Sequence, residues 1–164
     1  MSTAVWLQID AEHAEFRIQR DGQMPVQRQT GLGYLALVRQ FFRHALPRPL
    51  ELELAIAWVE DELMAIQDDL PSEPFLQSTD VLVRELALVA GVPDAPIMTL
   101  SIDAVERLFN RMVDLVEGRP WSQDAAPWRP ELMAALLVLR ETMHHLKFQA
   151  VLCHASVAQP HISE

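Results

Sequence analysis

The sequence predicts an α+β fold: a small N-terminal antiparallel β-meander followed by a bundle of about five helices, in a single domain over residues 1–164. Three observations carry that expectation. Residues 3–28 alternate apolar and polar side chains around an Asp21-Gly22 pair. From residue 30 to about 156 the apolar spacing changes from two to about 3.6. No linker-like or low-complexity tract divides the chain, and 164 residues suffice for one buried core.

The meander begins with Val5, Leu7 and Ile9 on one strand face and Trp6 and Gln8 on the other. Phe16 and Ile18 alternate with Glu15, Arg17 and Gln19. Asp21-Gly22 suits the positive φ angles of a hairpin turn. A third strand over residues 23–28 contains Pro25, which confines it to a sheet edge.

Thr30 is the expected cap of a helix running to about Leu46, with Leu35, Val38, Phe42 and Ala45 inward. Pro47-Arg48-Pro49 ends it. Leu52, Ile56, Val59, Leu63, Ile66 and Leu70 then form a helical stripe. Residues 50–56 alternate as well, so a strand there is the alternative; the good helix formers and the five-turn stripe favour helix. The two helices should form a hairpin, with Arg43 near Glu53.

Ser78, Thr79 or Asp80 can cap a third helix reaching Ala90. It is apolar almost all round and is expected to lie centrally. Gly91 and Pro93 stop it, and residues 92–100 read as a loop. Ser101 or Asp103 caps a fourth helix, with Val105, Phe109, Met112 and Val116 inward. After a loop over 119–130, Pro130 opens the last helix. Its stripe, Leu132, Leu136, Leu139, Met143, Leu146, Ala150 and Cys153, carries it to about residue 156. Residues 157–164 read as a frayed tail.

Charge is distributed unevenly. Residues 51–73 hold eight acids and no Lys or Arg, whereas the first fifty residues hold six Arg and four acids. The acidic segment is also apolar, so it reads as a packed helix with a solvated acidic face rather than a disordered tail. A net charge of −10 excludes nucleic acid and anionic membrane surfaces as main partners. Twelve of the thirteen bases are Arg, a composition expected of a GC-rich bacterial coding sequence. One cysteine, the short apolar run at Ala4–Leu7 and the lack of any long uncharged apolar stretch lead to a cytoplasmic expectation.

Reaction chemistry is sparse. Gly31-Leu32-Gly33 precedes a helix but lacks the third glycine and the parallel setting of a dinucleotide site, so it reads as a small-residue helix entry. The order strand, Asp10, strand, Asp21-Gly22, strand, helix resembles the opening of sugar-kinase-like ATPase domains. The phosphate loop there needs glycine and hydroxyl residues, and Ala11, Glu12 and His13 stand here, so that reading is set aside. Cys153 sits in an apolar stripe, and no Gly-x-Ser-x-Gly elbow occurs. Glu60, Asp61 and Glu62 fan out through about 200° of helix and cannot converge unaided.

Glu141, His144 and His145 form the best metal candidate, because Glu-x-x-His is half of the diiron carboxylate pattern. No second copy exists, and the stripe places Glu141 and His145 opposite the buried face. A surface pair, with no metal and no cofactor, is therefore expected. The loop carrying Arg119, Trp121, Trp128 and Arg129 is the best partner-binding candidate, since Trp and Arg anchor interfaces. The functional expectation is a non-catalytic interaction or assembly protein, adaptor- or chaperone-like and homodimeric. The alternative is an enzyme or a metal- or small-ligand-binding domain whose site assembles from dispersed acidic and His residues.

Overall fold

The alternating N-terminus builds three antiparallel strands, β1 (Thr3–Ile9), β2 (Ala14–Arg20) and β3 (Val26–Thr30). Gly22, at φ 71°, turns the chain between β2 and β3. The structure, a computed structural model, describes residues 2–118 and 128–155. Val5, Leu7, Ile9, Ala14, Phe16 and Ile18 all point to one buried face. On the other face Trp6 lies opposite Arg17, whose guanidinium is 5.5 Å from the indole centroid.

The meander does not stand apart from a helical bundle, as the sequence led one to expect. Helices α1 (Tyr34–Phe41) and α2 (Pro49–Met64) are followed by strand β4 (Phe75–Ser78), helix α3 (Val81–Val89) and strand β5 (Ile97–Ser101). Then come α4 (Ile102–Val116), α5 (Pro130–His145) and β6 (Ala150–His154). All six strands form one mixed sheet in the order β3-β2-β1-β4-β6-β5, with β4 parallel to both β1 and β6. Among the described residues the fold is α/β, with five α-helices.

Each missed strand has a local reason. β4 is four residues long and shows no alternation long enough to outweigh its flanking prolines. β5, read as part of a loop, is an antiparallel edge paired only to β6. β6 occupies what the spacing predicts to be the end of the last helix, because Leu146, Ala150 and Cys153 continue the helical period. The helix in fact stops at His145. Lys147 adopts φ 61°, and the Phe148 N–H donates to the Met143 carbonyl at 2.9 Å. That is the bond of a Schellman cap, which reverses the chain without the usual glycine. Gln149 N–H then donates to the Pro74 carbonyl at 2.7 Å, and the strand begins.

Helix α1 is shorter than expected. Its N-cap is Gly33, while Thr30 ends β3 and its hydroxyl donates to the Ala14 carbonyl. Leu37 and Phe42 are buried, whereas Ala45 is exposed. Residues 50–56 are helical, and α1 meets α2 through the Phe41 and Trp58 rings, 5.4 Å apart. Glu51, rather than Glu53, reaches Arg43: its Oε2 accepts that residue's backbone N–H at 2.9 Å.

The central helix is α5, not α3. Eleven of its sixteen residues are buried, which leaves no wet stripe, and it packs against all four other helices. In α3, by contrast, Val81 is 73% exposed. One polar ladder crosses the helical layer. His144 Nε2 and Arg140 meet Glu106 on α4 at 2.8 and 3.1 Å, and Arg140 also meets Glu141 at 2.7 Å. The Arg140 guanidinium lies 4.2 Å from the Phe109 centroid. No helix among the described residues is long and apolar enough to cross a membrane.

Candidate functional site

Because β1, β4 and β6 run parallel, their carboxyl ends lie on one edge of the sheet. Ligands of α/β sheets bind in the crevice outside such ends. A pocket of about 410 Å³ opens there, lined among others by Gln8, Asp10, Tyr34, Asp80, Arg129 and Glu131.

Asp80 is its best-determined member. It lies two residues past the end of β4 and caps α3, with Oδ1 accepting the N–H groups of Leu82 at 2.9 Å and Val83 at 3.4 Å. Its Oδ2 accepts Ile9 N–H at 2.8 Å and Gln8 Nε2–H at 3.3 Å. The residue is 3% exposed. Burial pushes its carboxyl above the ordinary range, against the opposing pull of those backbone N–H groups. The Gln8 amide also donates to Asp10 Oδ1 at 3.4 Å, so one side chain bridges both aspartates.

The turn between β1 and β2 is closed. Asp10 N–H donates to the His13 carbonyl at 2.8 Å. The first N–H groups of α1 are occupied as well: Tyr34 donates to the Asp10 carbonyl, and Leu35 and Ala36 donate to that of Ala11. Gly33 is required for this approach, since a Cβ there would collide with the backbone of Glu12 and the Ala11 oxygen. The order of elements that resembled a sugar-kinase-like opening is thus present, but its amides are spent on the protein's own carbonyls. Gly31 is placed differently, with its N–H donating to Glu62 Oε2 at 3.1 Å.

The expected partner-binding residues divide. Arg119 and Trp121 lie outside the described residues, as does the expected tail over 157–164. Trp128 is half-buried against the core, and its indole N–H finds no acceptor among the described residues. Arg129 caps α5 and forms a two-pronged pair with Glu85 on α3, both bonds 2.8 Å. It lines the strand-end pocket. Glu85 is held below the ordinary carboxylate range by that guanidinium.

The metal candidates also divide. His144 pairs with Glu106. Glu141 is 2% exposed, contrary to the wet position its stripe implied, and it meets His145 together with Glu60 from α2. Cys153 is buried, and burial raises its thiol to about 11, which leaves it a packing residue. Sequence reasoning missed Gln8, Tyr34 and Glu131, and it saw Asp80 only as one of three possible caps. Recognising β4 would have placed Asp80 at a strand end, the one signal available.

No protein-family model matches the chain, and no curated protein sequence does. Solved structures do match in fold. The Aquifex aeolicus PPX-GPPA enzyme superposes with a TM-score of 0.72 at 13% identity, covering 94% of this chain and 54% of that one. An exopolyphosphatase from Cytophaga hutchinsonii gives 0.72 at 14% identity, covering 93% and 53%. An exopolyphosphatase-like protein gives 0.69 at 11%, covering 94% and 55%. The chain spans about half the length of these proteins, and at such identities the likeness is one of fold.

The first two of these neighbours carry enzyme names, and the expectation of a non-catalytic adaptor does not survive the comparison. It rested on apolar helical content, a one-sided acidic face, the Trp/Arg loop and the sparse reaction chemistry, whereas the described residues form a mixed sheet with a pocket at its strand ends.

Proposed function

We propose that this chain is the ligand-binding lobe of a phosphohydrolase-type enzyme, taking a phosphoanhydride compound as its divalent-cation complex in the strand-end pocket. One observation carries the reading. Asp10 and Asp80, at the carboxyl ends of neighbouring parallel strands, are bridged by Gln8 and face the pocket. The exopolyphosphatase-like fold of the neighbours supports the substrate class.

Charge decides the form of the ligand. Three carboxylates (Asp10, Asp80, Glu131) and one Arg line the pocket, and Arg129 is already paired with Glu85. A bare polyanion is repelled by that lining. A divalent cation on carboxylate and amide oxygens offsets the repulsion. Asp10 is exposed at the mouth and Glu131 is partly exposed, so both have coordination capacity to spare, and an all-oxygen donor set suits a hard ion such as Mg²⁺. Asp80 is committed to four donors and acts as a positioning residue for Gln8 and the end of β1. The first N–H groups of α1 are occupied, so that helix offers no amide cradle to a free phosphate.

The test is calorimetric titration of the chain with pyrophosphate or short polyphosphate, with and without Mg²⁺, alongside assay of released phosphate. The expected result is binding only when both are present, lost in Asp10→Asn with its fold retained. Equal binding without Mg²⁺, or wild-type binding by Asp10→Asn, would overturn the reading.

A further inference from the structure

A second constellation lies at the opposite end of α5 from this pocket, about 20 Å away along a sixteen-residue helix. Glu60 projects from α2, and Glu141 and His145 form an i,i+4 pair on α5. One donor atom from each lies within 4.8 Å of the other two. Glu141 Oε1 is taken by Arg140 at 2.7 Å, and its Oε2 faces His145 Nε2 at 3.2 Å. Glu60 Oε1 lies 3.5 Å from the same nitrogen.

Those two separations are long for a charge-assisted N–H···O bond, which spans about 2.7–2.9 Å. They lie close to the edges of a coordination tetrahedron, where bonds of about 2.0–2.2 Å place neighbouring ligand atoms about 3.3–3.6 Å apart. His144, one residue earlier, offers the contrast. It meets Glu106 at 2.8 Å, the length of an ordinary hydrogen bond. Two further features favour a cation. His145 ends α5, where the helix dipole is negative. It also lines a separate pocket of about 310 Å³ with Asp68, Ser72 and Lys147, so the position is open to solvent.

We propose that Glu60, Glu141 and His145 form a divalent transition-metal site of the zinc class, with its fourth position opening toward that pocket. Two carboxylates balance the charge of the ion. One imidazole and no thiolate selects zinc- or manganese-type ions over magnesium, which keeps to oxygen donors. Arg140 is shared with Glu106 and occupies only one oxygen of Glu141, leaving the other to ligate.

The test uses protein without a His tag, titrated with Zn²⁺ in competition with a chromogenic chelator. One equivalent should bind. Glu60→Gln and His145→Ala should each weaken binding by more than the roughly 10–100-fold typical of outer-shell losses. His144→Ala and Asp10→Asn should retain it. Melting without metal checks that each variant folds. Anomalous scattering from zinc-soaked crystals of the wild type should place the ion among the three donors, whatever the variants do. Sub-stoichiometric binding, binding that survives in a folded His145→Ala, or an ion located elsewhere would overturn the assignment.

Discussion

Asp80 Oδ2 accepts the backbone N–H of Ile9 at 2.8 Å, so the residue that caps α3 also closes the end of β1. Removing the carboxylate opens a helix N-terminus and strands a buried donor together. A lost cap costs about 0.5–2 kcal/mol, and an unsatisfied buried group about 1–3 kcal/mol. Asp80→Ala should therefore lower unfolding free energy by about 2–4 kcal/mol in urea titration. A loss under about 0.5 kcal/mol, ordinary for an exposed surface change, would show that neither bond matters.

Two glycines separated by a single residue in the helix entry, Gly31 and Gly33, should behave oppositely. A Cβ on Gly33 would strike the backbone of Glu12 and Ala11, which cannot rotate away. On Gly31 it would meet Trp58 at 3.6 Å, an ordinary contact. Gly33→Ala should cost at least the roughly 1–3 kcal/mol of overpacking, and Gly31→Ala little. Thermal melting of the two variants checks the difference.

Glu51 gives the fold an acid-sensitive joint. The N–H of Arg48 above all, then that of Arg43 and the His44 ring, hold its carboxyl at about 2 rather than the ordinary 4.5. A depressed acid stabilises the fold above the unfolded value and loses that contribution as pH falls through the folded one. The stability gap between wild type and Glu51→Gln should be widest above pH 4.5 and close toward pH 2. Urea midpoints across that range measure it, and a gap independent of pH would contradict the assignment. Asp80, raised by burial, works in the other direction: its contribution is fullest below 3.8 and falls as pH rises through its folded value.

Lys147 holds φ 61° at the end of α5. The left-handed conformation costs a side-chain-bearing residue about 1–2 kcal/mol, while glycine loses about 0.4–1 kcal/mol through its freer unfolded state. Lys147→Gly should stabilise the chain by about 0.5–1 kcal/mol, the difference of those terms. Denaturant unfolding would read this as a higher midpoint at unchanged slope.

Local periodicity and punctuation determined the three antiparallel N-terminal strands, the turn at Asp21-Gly22 and the existence of the five α-helices among the described residues. Each is specified by neighbours within a few residues: alternation for a half-buried strand, prolines and caps for helix ends. Tertiary structure decided what those rules do not reach. β4, β5 and β6 are four or five residues long and gain their hydrogen bonds from partners far along the chain, Leu76 from Val5 and Val151. Their pairing depends on the burial of a shared face rather than on intrinsic preference. The same holds for the sites. Gln8 and Asp80 are separated by 72 positions, and Glu60 and His145 by 85. No spacing encodes either pair, because a sheet order and a central helix bring them together, and both are products of the assembled core.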